Sequence, residues 1–204
     1  MVTIRPAIKE DLPGILALGK HFGHLMFYQK DLDIMKKLLS DIIVAEEEYD
    51  NRIRVVEGYY HATEIVFPMN HKDVHNPDSE FLAKIGMLTH YKCLHRDIIE
   101  EICYKVGDGN RILVIFQGGC HRDLFKTMIQ HYIDKDYDEI LVYCSKTSGK
   151  AKGYEELGFT FSPSEEFTFW NPHKCGVSTY RLGRWIKQSE DREPVLTGEP
   201  DIKD

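Results

Sequence analysis

The residues best suited to chemistry lie between positions 111 and 159 of this 204-residue chain. Gln117-Gly118-Gly119-Cys120-His121-Arg122 follows an apolar run and precedes a helical pattern. Two adjacent glycines there predict a turn in which the backbone can approach a ligand closely, with a helix N-terminus behind it. That is the outline of an anion site. Arg122 would either add a charge-assisted contact to a phosphate or block the amides at the helix start, and Asp123 would cap the helix. Cys144 lies at the end of a second apolar run; with no activating partner in the sequence it reads as a buried thiol rather than a nucleophile. Ten histidines raise the question of a metal. His71 and His75 are four apart but sit in a turn-rich stretch, and neither Cys120-His121 nor His173 with Cys175 has the paired spacing of a zinc site. No metal is expected.

The elements that must position these residues are legible around them. Arg111–Phe116 is an unbroken apolar run, as in a strand buried on both faces. Leu124, Phe125, Met128, Ile129, Tyr132 and Ile133 repeat along one helical face. Asp134–Asp138 interrupt the pattern, Ile140–Cys144 form a second strand, and a short helix closes on Tyr154-Glu155-Glu156-Leu157-Gly158-Phe159. Gly158 is placed as its C-terminal glycine. Strand, helix and strand joined by a right-handed crossover make the two strands parallel, with the helix N-terminus facing whatever lies beyond the first strand.

The ending YEELGF resembles the Y-x-x-x-G-F signature of the GCN5-related N-acetyltransferases, which use acyl-coenzyme A. Val2-Thr3-Ile4-Arg5-Pro6-Ala7 and Lys9-Glu10-Asp11-Leu12-Pro13 resemble that family's first strand and the start of its first helix. The resemblance covers about residues 1–183, apart from 70–107. It implies an α/β fold, a mixed central sheet with splayed parallel strands flanked by helices. It also implies acetyl-CoA as cosubstrate and a primary amine on a small molecule or peptide as acceptor. The family's pyrophosphate loop reads Q/R-x-x-G-x-G/A. Gln117 matches, but Cys120 and Arg122 stand where small residues are expected. Gly118, Gly119 and His121 complete the loop, and an amide near Val114, Ile115 and Phe116 would stabilise the oxyanion. Tyr154 falls on the tyrosine that protonates the thiolate leaving group, a role open to a phenol in a dry site. Thr147 stands where an asparagine is common and Lys150 where a small residue is. Lys146, Lys150 and Lys152 make this edge basic, which suits the coenzyme's phosphates. For the general base the nearest options are Glu57, His61 and Glu64, with His90 more remote.

Composition is that of a soluble globular protein, 42% hydrophobic and 29% charged, and its length suits one domain. A net charge of −7 argues against a dedicated nucleic-acid binder and leans toward a cationic amine. No apolar run approaches the ~18 residues of a membrane span, and the N-terminus has no signal-like apolar region. Five scattered cysteines suggest reduced thiols and a cytoplasmic location. The expected domain is 1–186, with 84–107 a helical insertion and 187–204 a disordered tail.

Elsewhere, Leu12, Ile15, Leu16 and Leu18 give the first helix an apolar side, and the aromatics of 22–28 form either substrate wall or core. Met35, Leu38, Leu39, Ile42 and Ile43 predict an amphipathic helix with Glu46–Glu48 as its solvated end. Arg52–Glu57 and Glu64–Phe67 predict two strands joined near Gly58–His61, followed by a loop at 68–80. Leu94, Ile98, Ile102 and Val106 predict a helix of about 14 residues ended by Gly107-Asp108-Gly109. Phe161–Trp170 and Val177–Gly183 predict a closing hairpin. Two functions remain: an acyl-CoA-dependent N-acyltransferase, or a catalytically silent protein of that fold, of a kind found in bacteriophages, serving as a binding or structural module. A DNA-base-modifying relative is a weaker third.

Overall fold

The computed structural model describes residues 2–22, 39–49, 53–65, 96–146, 149–171 and 176–188; at 96, 97, 99, 100, 103, 116, 117, 167–171 and 176–178 it describes the backbone alone. Strands β1 (Val2–Pro6), β2 (Ile42–Tyr49), β3 (Ile53–Ile65), β4 (Ile112–Cys120), β5 (Glu139–Ser145), β6 (Thr160–Asn171) and β7 (Gly176–Ile186) form one sheet. Its order is β1-β2-β3-β4-β5-β7-β6, and only β4 and β5 run parallel. The helices are α1 (Leu12–His21), α2 (Arg96–Gly107), α3 (Arg122–Ile133) and α4 (Lys150–Glu155). Among the described residues no helix is long and apolar enough to cross a membrane.

Strand alternation divides the core between two faces of the sheet. On one face Ile43, Ala45, Tyr60, Leu113, Ile115, Ile140 and Val142 pack under Met128, Ile129 and Tyr132 of α3 and Tyr154 of α4. On the other, Ile42, Val44 and Tyr59 meet Leu12 and Ile15 of α1, while Ile112, Val114, Leu141 and Leu182 meet Ile98 and Ile102 of α2. Charge fastens α2 as well. Glu139 at the start of β5 accepts from Lys105 Nζ at 2.6 Å and Arg184 Nη1 at 2.8 Å. Arg184 on β7 also holds Glu101 of α2 and Glu165 of β6. At the other edge Arg5 grips Asp11 with two bonds and reaches Glu46. Burial alone would raise the Asp11 carboxyl, but hydrogen bonds from Arg5 and the Ile8 amide hold it below its usual range.

The strand-helix-strand-helix order of 111–159, the closing hairpin and the helix ending at Gly107 stand as the sequence predicts, and Gly158 takes the left-handed φ of +88°. Three expectations are corrected. Leu39–Asp41 is a 3-10 turn, and Ile42-Ile43-Val44-Ala45 is a strand buried on both faces rather than a helical stripe. Glu46 is accordingly not a solvated helix end but a buried partner of Arg5 and Arg54. Residues 53–65 form one strand, because Gly58-Tyr59-Tyr60-His61 is a buried stretch between β2 and β4 and not a turn. Finally, Gly118-Gly119 lies within β4, paired with Tyr60 and Tyr59. The rest of the aromatic cluster after Phe22, Met35 and Leu38, the loop 68–80, residues 84–95 and the tail beyond 188 lie outside the described residues.

Candidate active site

The parallel pairing of β4 with β5 runs only from Ile112–Glu139 to Ile115–Val142. Beyond it β4 continues to Cys120 alongside β3, and β5 continues to Ser145 alongside β7. The sheet therefore opens into a wedge between 116–120 and 143–145. Backbone groups of β4 that face β5 lose their ladder partner there, so an extended ligand carrying its own amides can pair with them.

Side chains converge on this wedge from both sides. Tyr154 of α4 is buried against it, ring edge to Phe125 at 4.8 Å, Phe159 at 5.2 Å and Phe161 at 6.4 Å between centroids. Burial, followed by the neighbouring Cys144, pushes its phenol far up; it is a neutral hydrogen-bond donor at any physiological pH. Tyr60 of β3 lies across Gly118, where a Cβ would stand 2.0 Å from its ring. The next glycine has the same reason to be there: a Cβ on Gly119 would stand 2.1 Å from the ring of Phe22, at the end of α1 on the opposite face. These glycines are therefore sites of close side-chain approach within a strand, which corrects the expected turn.

Burial pushes the Cys120 thiol up to about 11, with Tyr60 and Lys150 opposing, and Cys144 is buried. Cys120 is a thiol at neutral pH, and so a poor nucleophile. Lys150 donates to the Gly118 carbonyl at 3.4 Å, bridging the wedge from α4 to β4. Helix α3 begins at Arg122 directly after β4, with His121 as its N-cap residue and no side-chain cap. Asp123 lies in the first turn instead of capping it. The first amides of α3 face the mouth of the wedge, as helix geometry requires.

The expected proton acceptors separate widely. Glu64 pairs with Leu113 near the start of β4, away from the wedge, and is held by Arg111 at 2.9 and 3.0 Å. Glu57 sits beside a bulge of β3, its carboxylate 3.6 Å from His121 and accepting from Tyr49. It thus lies at the N-terminal end of α3, where a carboxylate competes with a bound anion. His61 pairs with Gln117 at the wedge and alternates to the face opposite Tyr60, shared with Tyr59 and α1. Burial pushes its imidazole down to about 4, with the Asp41 carboxylate opposing. It is neutral near pH 7, and the burial that keeps it so makes it a weak base. Asp41 also accepts from Thr63 Oγ1 at 2.9 Å.

Of the sequence-derived set, the structure brings together Val114, Ile115, the backbone of Phe116 and Gln117, Gly118, Gly119, Cys120, His121, Arg122, Lys150 and Tyr154. Thr147, His90, His71, His75 and the His173–Cys175 pair fall outside the described residues. Lys146 is engaged with Glu166 at 3.1 Å. Among the described residues no three His, Cys, Asp or Glu side chains gather to hold a metal. Tyr60 was missed. Its signal, a tyrosine opposite a glycine across β3 and β4, exists only once the register is known.

No protein-family model matches the sequence, and no curated protein matches it. Solved structures do. NAA60 of Arabidopsis thaliana in complex with acetyl-CoA is similar over 92% of this chain and 100% of its own, with a TM-score of 0.59 at 10% identity. The Drosophila melanogaster polyamine N-acetyltransferase aligns over 92% and 100%, with a TM-score of 0.57 at 11% identity. A mosquito arylalkylamine N-acetyltransferase-like protein gives 92% and 100%, 0.58 and 12%. The chain has the fold of the GCN5-related, acyl-CoA-dependent N-acetyltransferases.

Proposed function

We propose that this protein is an acyl-CoA-dependent N-acyltransferase that moves an acetyl group from acetyl-CoA to a primary amine. The observation that carries the reading is the β4–β5 wedge, with a strand edge that has no ladder partner among the described residues on one side and a buried neutral phenol on the other. The pantetheine arm pairs with the free edge of β4 at 116–120. The pyrophosphate meets the first amides of α3, Arg122 and Lys150. An amide near Val114–Phe116 receives the oxyanion. Tyr154 then gives its proton to the departing thiolate as the amine nitrogen closes on the carbonyl carbon. The acceptor comes from the face of Phe22 and α1, and the proton that the amine loses passes to water, since burial makes the His61 imidazole a weak base. Catalysis on this plan is mostly a matter of holding both substrates in place. Glu64 has no part in it, and Glu57 tempers the charge at α3. On this reading the protein works in the cytoplasm on an acceptor that is a small molecule or a peptide.

Cys120 and Arg122, bulky where the related loop is small, favour a second reading: a silent protein of this fold that binds without transferring. Release of free thiol from acetyl-CoA, followed across a panel of primary amines, separates the two. Transfer predicts amine-dependent release that falls by roughly 10²–10⁴ in Tyr154→Phe, the scale of a lost general acid. Release that no amine stimulates, or that Tyr154→Phe leaves unchanged, contradicts the proposal.

A further inference from the structure

Tyr60 carries a polar group that the fold does not use. The residue is 2% exposed, yet its hydroxyl has no hydrogen-bond partner among the described residues. The Tyr154 hydroxyl and the Cys120 thiol lie close enough to raise its pKa by hydrogen-bonding and charge effects, but neither meets it with the distance and angle of a formed hydrogen bond. A buried hydroxyl left unpaired is destabilising, and phenylalanine would fill the same space without it. The placement is also specific. The ring lies on Gly118, the one kind of residue that lets a side chain of β3 cross β4 to reach the wedge. Tyr132 Oη, at 3.3 Å from the Tyr60 carbonyl, steadies the peptide behind it.

We propose that the Tyr60 hydroxyl is a second donor to the acyl donor, unpaired in the free protein and satisfied by the thioester carbonyl oxygen when acetyl-CoA binds. This rests on the acyltransferase reading above. Tyr154 is the group that meets the thioester sulfur in that reading, and Tyr60 is its immediate neighbour. A donor beside the sulfur-facing phenol therefore faces the atom bonded to the same carbonyl carbon. The oxygen is the stronger acceptor of the two, since thioether-type sulfur accepts weakly. As the amine adds, negative charge grows on that oxygen, and a desolvated O–H already aimed at it strengthens without reorganisation.

The test compares wild type with Tyr60→Phe, which keeps the ring and removes the oxygen. Three quantities are read: the melting temperature without ligand, and the dissociation constants of acetyl-CoA and of CoA, which lacks the carbonyl. The expected result is a ligand-free melting temperature equal to or above that of wild type. Acetyl-CoA should bind about tenfold more weakly and CoA within about twofold of wild type, the effect of one lost hydrogen bond to a specific atom. A lower melting temperature with an unchanged ratio of the two constants would show the hydroxyl to be structural and overturn the proposal. Equal weakening of both ligands would overturn it as well, by moving the contact off the carbonyl. Failure of wild type to bind either ligand removes the acyltransferase reading itself, a result distinct from the other two.

Discussion

Acidifying this protein from pH 7 to pH 4.5 should weaken it in large part through one side chain, His61. The imidazole is 1% exposed, and burial pushes its pKa from 6.5 down to about 4 against the pull of Asp41. In the unfolded chain the same imidazole takes up a proton as pH falls through its ordinary value. In the folded chain it resists until about pH 4. The stability it confers is therefore present above the unfolded pKa and is lost as pH falls toward the folded one. Each unit of separation is worth ~1.4 kcal/mol, so by pH 4.5 the loss reaches roughly 2–3 kcal/mol. For a chain of this size that corresponds to a fall of about 5–10 °C in melting temperature. His61→Gln keeps a planar polar group that does not titrate. Melting curves of both proteins should be recorded at half-unit steps between pH 7 and 4.5. The carboxyls held low by their partners, Asp11, Glu64 and Glu101, are common to both proteins and cancel in the difference. Wild type should lose several degrees relative to the variant across that window. Parallel curves would refute the reasoning, because they would show that the folded protein accommodates the imidazolium.

Three further outcomes follow from the same structure. Gly118→Ala forces a Cβ against the Tyr60 ring and should cost ~1–3 kcal/mol by overpacking; in a Tyr60→Ala background the cost should shrink, a coupling that a double-mutant cycle by chemical denaturation will show. Arg184→Met leaves Glu139 and Glu101 to share Lys105 and takes from Glu165 its bonds to the guanidinium. It should destabilise by ~2–3 kcal/mol, below the 3–5 of a fully buried pair because solvent reaches two of the three carboxylates. Thermal melting checks it, with Arg184→Lys recovering only part of the loss. Glu57→Gln removes a carboxylate beside His121 at the start of α3. It should tighten coenzyme binding about two- to fivefold at low salt and less at high salt, as screening requires.

What the sequence made legible were the elements whose pattern is local. The run Arg111–Phe116 and the helical face from Leu124 to Ile133 state their periods within a few residues, and Gly158 ends α4 by a conformation glycine favours. What it concealed depends on partners far along the chain. Gly58-Tyr59-Tyr60-His61 looks like a turn by composition, but between β2 and β4 its glycine makes room for Cys120 and its tyrosines face opposite cores. Ile42 and Ile43 fit a helical spacing with Met35 and Leu38, yet the four consecutive apolar residues from Ile42 fill both faces of a strand. Gly118 and Gly119 carry the same lesson into the site. Their neighbours, Tyr60 and Phe22, come from elements some 60 and 100 residues away. The departures at Cys120 and Arg122 could be read from the motif, but the Tyr60–Tyr154 juxtaposition could not.

The most direct measurement of the central claim is a calorimetric titration of acetyl-CoA into the purified 204-residue chain, backed by its melting temperature with and without ligand. The account predicts one site per chain, and at ~100 times the dissociation constant a stabilisation of about 2.7 kcal/mol, several degrees of melting temperature. No heat of binding and no shift at millimolar acetyl-CoA would contradict it, and the β4–β5 wedge would then be a feature of the fold without its coenzyme.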